Sequence, residues 1–171
     1  MKLISILNNI ILEVGEGSAK AYTYAQSFNI EVEDDSAERI VLFKTEDGDE
    51  YEVRMQAFWG DNYYARDVYG GPYFTIDFFV QDKDGEFSDG TAVVNKGRLF
   101  NVMATIVKAA KEFMDDIDYK SKNIKTMKVV PSKTEGFDDD RRAKLYMAYI
   151  KRQLPVKSIE YDGDNIVATF K

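Results

Sequence analysis

Cysteine and histidine are both absent from this 171-residue chain, and those two absences exclude most familiar site chemistries. Without cysteine there is no disulfide, no thiol nucleophile, no iron–sulfur cluster and no thiolate-bound zinc. Without histidine there is no Ser-His-Asp relay, no imidazole-bound zinc and no ordinary neutral-pH proton shuttle. Any acid–base work falls to Asp, Glu, Tyr, Lys, a terminal amine or water. The sequence also lacks an apolar run approaching the roughly 20 residues that span a bilayer. The opening Met1–Leu7 stretch is interrupted by Asn8, Asn9 and Glu13, so neither a signal peptide nor a membrane partner is expected.

Basic residues are outnumbered, 23 against 30 acidic ones, for a net charge of −7. Phosphate neutralisation supplies most non-specific affinity for nucleic acid, so no nucleic-acid partner is expected. The acidic surplus otherwise serves solubility. At 44% hydrophobic and 13% aromatic residues, the chain can bury a core of its own and reads as one domain, 1–171.

The pattern along the chain alternates in kind. Leu3, Leu7, Ile10 and Val14 recur at helical spacing over 2–14, ahead of Gly15 and Gly17. A polar stretch follows through Asp35. Ile40–Lys44 and Tyr51–Ala57 flank Glu46-Asp47-Gly48-Asp49 as a β-hairpin. Residues 60–72 form a Tyr- and Gly-bearing loop, and Tyr73–Val80 is a strand apolar on both faces, hence central. After a turn-rich insert at 81–90, Leu99, Met103, Ile106, Ala110, Phe113 and Ile117 mark a helix over 96–116. A strand over 124–130, a helix over 139–154 ended by Pro155, and a hairpin of 156–161 with 165–170 complete the chain. The expected fold class is α/β (α+β). It has a central, mostly antiparallel sheet with flanking helices, in the order helix-β-β-β-α-β-α-β-β.

From Ile40 to Phe170 this order resembles the GNAT acetyltransferase fold. Arg142-Ala143-Lys144-Leu145-Tyr146 is similar to that family's fourth-helix pattern, which implies Tyr146 as the acid that protonates a departing coenzyme A thiolate. The family holds the acetyl-CoA pyrophosphate at the start of its long helix, where glycine lets backbone N–H groups approach the anion. The matching positions here are Asn95, Lys96, Gly97 and Arg98. One glycine of that motif is present, and Leu99-Phe100 stand where a second small residue belongs. A second resemblance covers the whole chain. The Lys2–Gly17 opening, Leu99–Thr105 and Arg141–Tyr146 are similar to features of proteins encoded by tailed phages, which implies a viral setting: the cytoplasm of an infected bacterium, or the virion.

Three further constellations have local readings. Asp82–Gly90 offers several carboxylates but departs from a calcium-binding EF-hand loop in length and glycine placement, and reads as a polar turn. Asp138-Asp139-Asp140 precedes a helix and suits its N-terminal dipole, with Lys151 and Arg152 matching the other end. Tyr63-Tyr64-Ala65-Arg66-Asp67-Val68-Tyr69 is either packing or an interface patch, since Tyr and Arg dominate interface energetics. The sequence therefore points to a phage accessory protein that binds a host or viral protein or a small ligand, without metal. Two alternatives stand beside it: an acetyl-CoA-dependent N-acyltransferase and a structural virion protein.

Overall fold

The computed structural model describes residues 19–31, 33–81, 85, 87–88, 99–130, 141–162 and 165–171. The expected helix at 2–14, the turn-rich insert for the most part, the 95–98 cofactor motif and the Asp138–Asp140 cluster lie outside them.

Eight strands and two α-helices are present among the described residues. They are β1 (Tyr24–Glu31), β2 (Ser36–Lys44), β3 (Glu50–Phe58), β4 (Tyr73–Gln81), β5 (Phe87–Ser88), α1 (Leu99–Asp116), β6 (Thr126–Val130), α2 (Arg141–Gln153), β7 (Val156–Asp162) and β8 (Asn165–Phe170). The strands form one sheet in the order β1-β2-β3-β4-β6-β8-β7, with β5 pairing beside β4. The β4–β6 pair is parallel and every other neighbouring pair antiparallel.

This overturns the expected fold class and the GNAT-like order with it. The described residues are dominated by a seven-strand mixed sheet with a short eighth strand, and the two α-helices among them do not flank the sheet but share one face. The physical reason begins at β1, which lies in the stretch read as merely polar. Tyr24, Phe28 and Ile30 occupy alternate positions there, and β1 pairs along its whole length with β2, from Tyr24 opposite Phe43 to Glu31 opposite Ser36. The sheet thereby extends one strand beyond the hairpin.

Strict alternation sorts the sheet into two faces. Val41, Val53, Met55, Ala57, Phe74, Ile76, Met127, Val129, Ile166 and Ala168 are buried together with Met103, Ile106, Ala110 and Phe113 of α1 and with Tyr146 and Ile150 of α2. Burying each of the Val, Ile, Met and Phe side chains contributes about 1.5–3 kcal/mol. Fully buried Thr105 is partnered twice: its hydroxyl accepts the Tyr22 N–H at 2.8 Å and donates to the Asn101 carbonyl at 2.7 Å. Arg39 also points into this layer. Its guanidinium lies 4.7 Å from the Phe28 ring centre and 5.7 Å from that of Phe113, and it pairs with Asp116.

The other face carries Glu38, Ile40 and Leu42 of β2, Glu52, Arg54, Gln56 and Phe58 of β3, Tyr73, Thr75, Asp77 and Phe79 of β4, and Thr126, Lys128 and Val130 of β6. No described α-helix covers it. Among the described residues, no helix is long and apolar enough to cross a membrane.

Candidate binding surface

At one end of the sheet two connections brace each other. The β1–β2 turn runs through Glu33, Asp34 and Asp35, and the β3–β4 connection runs from Trp59 to Pro72. Trp59 donates its N–H to the Asp35 carbonyl at 2.9 Å, and Asp61 donates its N–H to the Asp35 carboxylate at 3.0 Å. The Asn62 side-chain amide donates to the Asp34 carbonyl. Asp35 and Gly60 both take positive φ, 50° and 56°. This is the left-handed region that Asp tolerates and Gly adopts without steric cost.

Between Trp59 and Tyr73 the chain makes one π-helical turn, Tyr64–Val68. Buried Ala65 anchors it, and the Tyr69 N–H donates to the Tyr64 carbonyl at 2.9 Å. The anchored turn pushes the tyrosines outward. Tyr63 is 60% exposed and Tyr64 50%, with Val68 and Tyr69 beside them. Phe58 and Tyr64 ring centres are 5.1 Å apart, and Tyr63 stands edge-on to Tyr64 at 5.6 Å. Residues 33–35 and 59–72 carry five carboxylates (Glu33, Asp34, Asp35, Asp61, Asp67) and one cation, Arg66. Arg66 is taken up by its own neighbour, with both contacts to the Asp67 carboxylate at 3.1 Å, which holds that carboxyl below the usual range. Lys122 borders the tip, its ammonium 4.5 Å from the Trp59 ring centre.

The aromatic surface continues onto the helix-free sheet face. Tyr69 stacks on Tyr73, and Phe58 lies opposite Tyr73 in the β3–β4 register. Two residues further along β4 come Thr75 and then Asp77. Among the described residues the Thr75 hydroxyl has no hydrogen-bond partner, although the residue is only 7% exposed. Half-buried Asp77 makes no hydrogen bond or ion pair among the described residues; Arg54 stands opposite it, and Val130 lies on its other side. Burial pushes the Asp77 carboxyl above its ordinary range, against the pull of Lys128 and Arg54. Burial likewise pushes the Tyr69 phenol up, and the Asp77 charge adds to the effect.

The residue matched to a catalytic acid sits elsewhere. Tyr146 is 4% exposed, edge-on to Phe78 with ring centres 5.4 Å apart. It lines an apolar cavity of about 10 Å³ among Ile76, Met103, Ile106, Val129 and Ile150. The structure thus brings the Tyr63–Tyr69 segment together with Thr75 and Asp77 and leaves Tyr146 on the opposite side of the sheet. Sequence reading did not single out Thr75, Asp77 or Lys128. The available signal was Asp77 itself, a lone acid inside the otherwise uncharged Tyr73–Val80 strand. Comparison of the chain with protein-family models, curated proteins and solved structures finds no match.

Proposed function

We propose that this chain is a non-catalytic binding protein that takes a basic protein partner on the acidic, tyrosine-rich tip of its sheet. One observation carries the reading. Tyr63, Tyr64, Val68 and Tyr69 stand exposed on a braced turn, within a segment pair whose five carboxylates face a single, already paired arginine. Tyrosine supplies large contact area at low conformational cost, and an excess of carboxylates selects a positively charged partner and speeds its approach. Bracing through Asp35 and Asn62 means that little ordering entropy is lost on binding. The resemblance to tailed-phage proteins supports a host or viral partner inside an infected bacterium or in the virion.

The test places a photo-cross-linking residue at Tyr63 and, in a separate control, at Leu42 on the helix-free face, and applies both proteins to infected-cell extract. The expected result is a basic protein cross-linked from position 63, released by about 0.5 M salt and lost when Tyr64 is changed to Ser. Equal labelling from position 42, or a capture that survives both the salt and Tyr64→Ser, would overturn the reading.

A further inference from the structure

Resting on that reading, we infer that Thr75 and Asp77 form a subsite for the ammonium or guanidinium end of a basic side chain on the partner. The tip supplies contact area, and this subsite, continuous with it through Tyr69 and Tyr73, supplies the specific polar anchor.

The first observation is geometric. Tyr73, Thr75 and Asp77 point from β4 to the same helix-free face, since Phe74, Ile76 and Phe78 alternate into the core. Tyr69 covers Tyr73 with parallel rings, so the aromatic surface ends where the two polar groups begin. The second observation is that neither polar group has a hydrogen-bond partner among the described residues. A hydroxyl as buried as that of Thr75 is nearly always hydrogen-bonded, and an orphan calls for a bound group. Asp77, beside it, is a half-buried carboxylate without a hydrogen bond among the described residues.

The charges nearby choose the sign of the guest. Arg54 donates from one Nη to Glu52 at 3.0 Å, while its Nε, 3.9 Å from Glu38, has no hydrogen-bond partner among the described residues; those two carboxylates balance its charge. Around Asp77 the sheet face therefore holds three carboxylates (Glu38, Glu52, Asp77) against two cations (Arg54, Lys128). The phenols of Tyr69 and Tyr73 complete the set of titratable groups there, and both are neutral at physiological pH. Lys128, next to Thr75 in the β4–β6 register, is the competing cation. Its flexible stem lets it withdraw when a better-placed donor arrives. A guanidinium fits best, because it can donate to the carboxylate and the hydroxyl at once.

The probe is Nα-acetyl-arginine amide, titrated at low salt against the full chain and followed by backbone amide chemical shifts. Shifts should centre on residues 69–77 and on Lys128. The uncharged citrulline analogue and the Asp77→Asn variant should each bind about tenfold more weakly, the loss expected for one charge-assisted hydrogen bond. Lys128→Met should tighten binding. Tyr64→Ser should leave the arginine probe bound while abolishing partner capture, which separates the subsite from the tip. Shifts centred elsewhere, citrulline binding equal to arginine, or an Asp77→Asn variant of unchanged affinity would each overturn the subsite. Should Asp77→Asn not fold, Thr75→Val and the citrulline comparison on the native chain still decide the matter. Partner capture through Tyr64 would survive such a failure.

Discussion

Tyr69 lies flat on Tyr73, with ring centres 4.1 Å apart and planes 6° from parallel. The contact joins the exposed π-helical turn to the first residue of β4, so the tip cannot move without uncovering a buried ring. It also shuts water away from Tyr73, whose phenol is pushed up to about 12 by burial first, with smaller contributions from Tyr69 and Asp77.

That shift predicts an alkaline signature. A phenol whose folded value is raised contributes stability that is fully present below the ordinary value of about 10 and is lost as pH rises through about 12. Melting temperature should therefore fall across that window. Tyr73→Phe, which has no proton to lose, should flatten part of the fall. Thermal melts at several pH values between 10 and 12 check this, and identical slopes for the two proteins would contradict it.

Asp77 predicts the opposite of a stabilising acid. Its carboxyl is raised by burial, so stability is greatest below its unfolded value and declines as pH rises through the folded one. Its ionised form is a charge held where water is scarce. Asp77→Asn should raise the melting temperature at pH 7 and leave it nearly unchanged at pH 3. Loss of stability at pH 7 would mean that Asp77 is a structural anchor, not a binding group.

Gly60 is fixed by the Asp35 brace. A Cβ there would overlap the Asp35 carboxylate, and its φ of +56° is one that side-chain-bearing residues seldom adopt. Gly60→Ala should cost about 1–3 kcal/mol. Because the Asp61 N–H to Asp35 hydrogen bond is lost with it, the variant should also weaken partner capture. Urea unfolding and the capture assay together check both.

Much of the strand pattern was legible because alternation is a local signal. The Tyr51–Ala57 run falls in β3, and Tyr73–Val80 falls in β4, which has neighbours on both sides. The Met103, Ile106, Ala110 and Phe113 spacing likewise marks the buried side of α1. What was not legible depended on tertiary partners. Nothing local in Tyr24–Glu31 outweighs its Gln, Ser and Asn residues; pairing with β2 does. Placement of both helices on one face is a property of the whole sheet, invisible to any window. The Tyr63–Tyr69 segment was visible as unusual, but its exposure follows from the buried Ala65 and the brace at Asp35. Thr75 and Asp77 matter through the partners they lack, which a sequence cannot display.

Arg39 and Asp116 make an asymmetric pair. The arginine is 3% exposed and lies against the Phe28 and Phe113 rings, while the aspartate is 51% exposed. Removing the aspartate strands a buried charge; replacing the arginine with an apolar chain of similar length does not. Asp116→Ala should cost about 1–3 kcal/mol, below the 3–5 typical of fully enclosed pairs because solvent reaches the carboxylate. Arg39→Met should cost less. Chemical denaturation of the two variants checks the order, and a reversed order would show that the aromatic–guanidinium contacts dominate.

Acetyl-CoA separates a binding protein from an acyltransferase, and Tyr146 is where the two readings make different demands. A phenol that protonates a departing thiolate must come within hydrogen-bond reach of it. Tyr146 is instead packed edge-on to Phe78, beside a cavity of about 10 Å³, space for roughly one water-sized sphere. An acyl thioester would have to pry α1 from α2, separating Met103 and Ile106 from Ile150. The expected result is weak acetyl-CoA binding at low salt, electrostatic in origin, that disappears at physiological ionic strength. Tyr146→Phe, which keeps the ring, should change folding stability far less than Tyr146→Ala, which should cost about 3–5 kcal/mol, as for a core ring. Titration calorimetry at two salt concentrations and urea unfolding of the variants measure these directly. Salt-resistant binding accompanied by acetyl transfer that falls in Tyr146→Phe, with stability held, would install the enzyme and displace the binding protein.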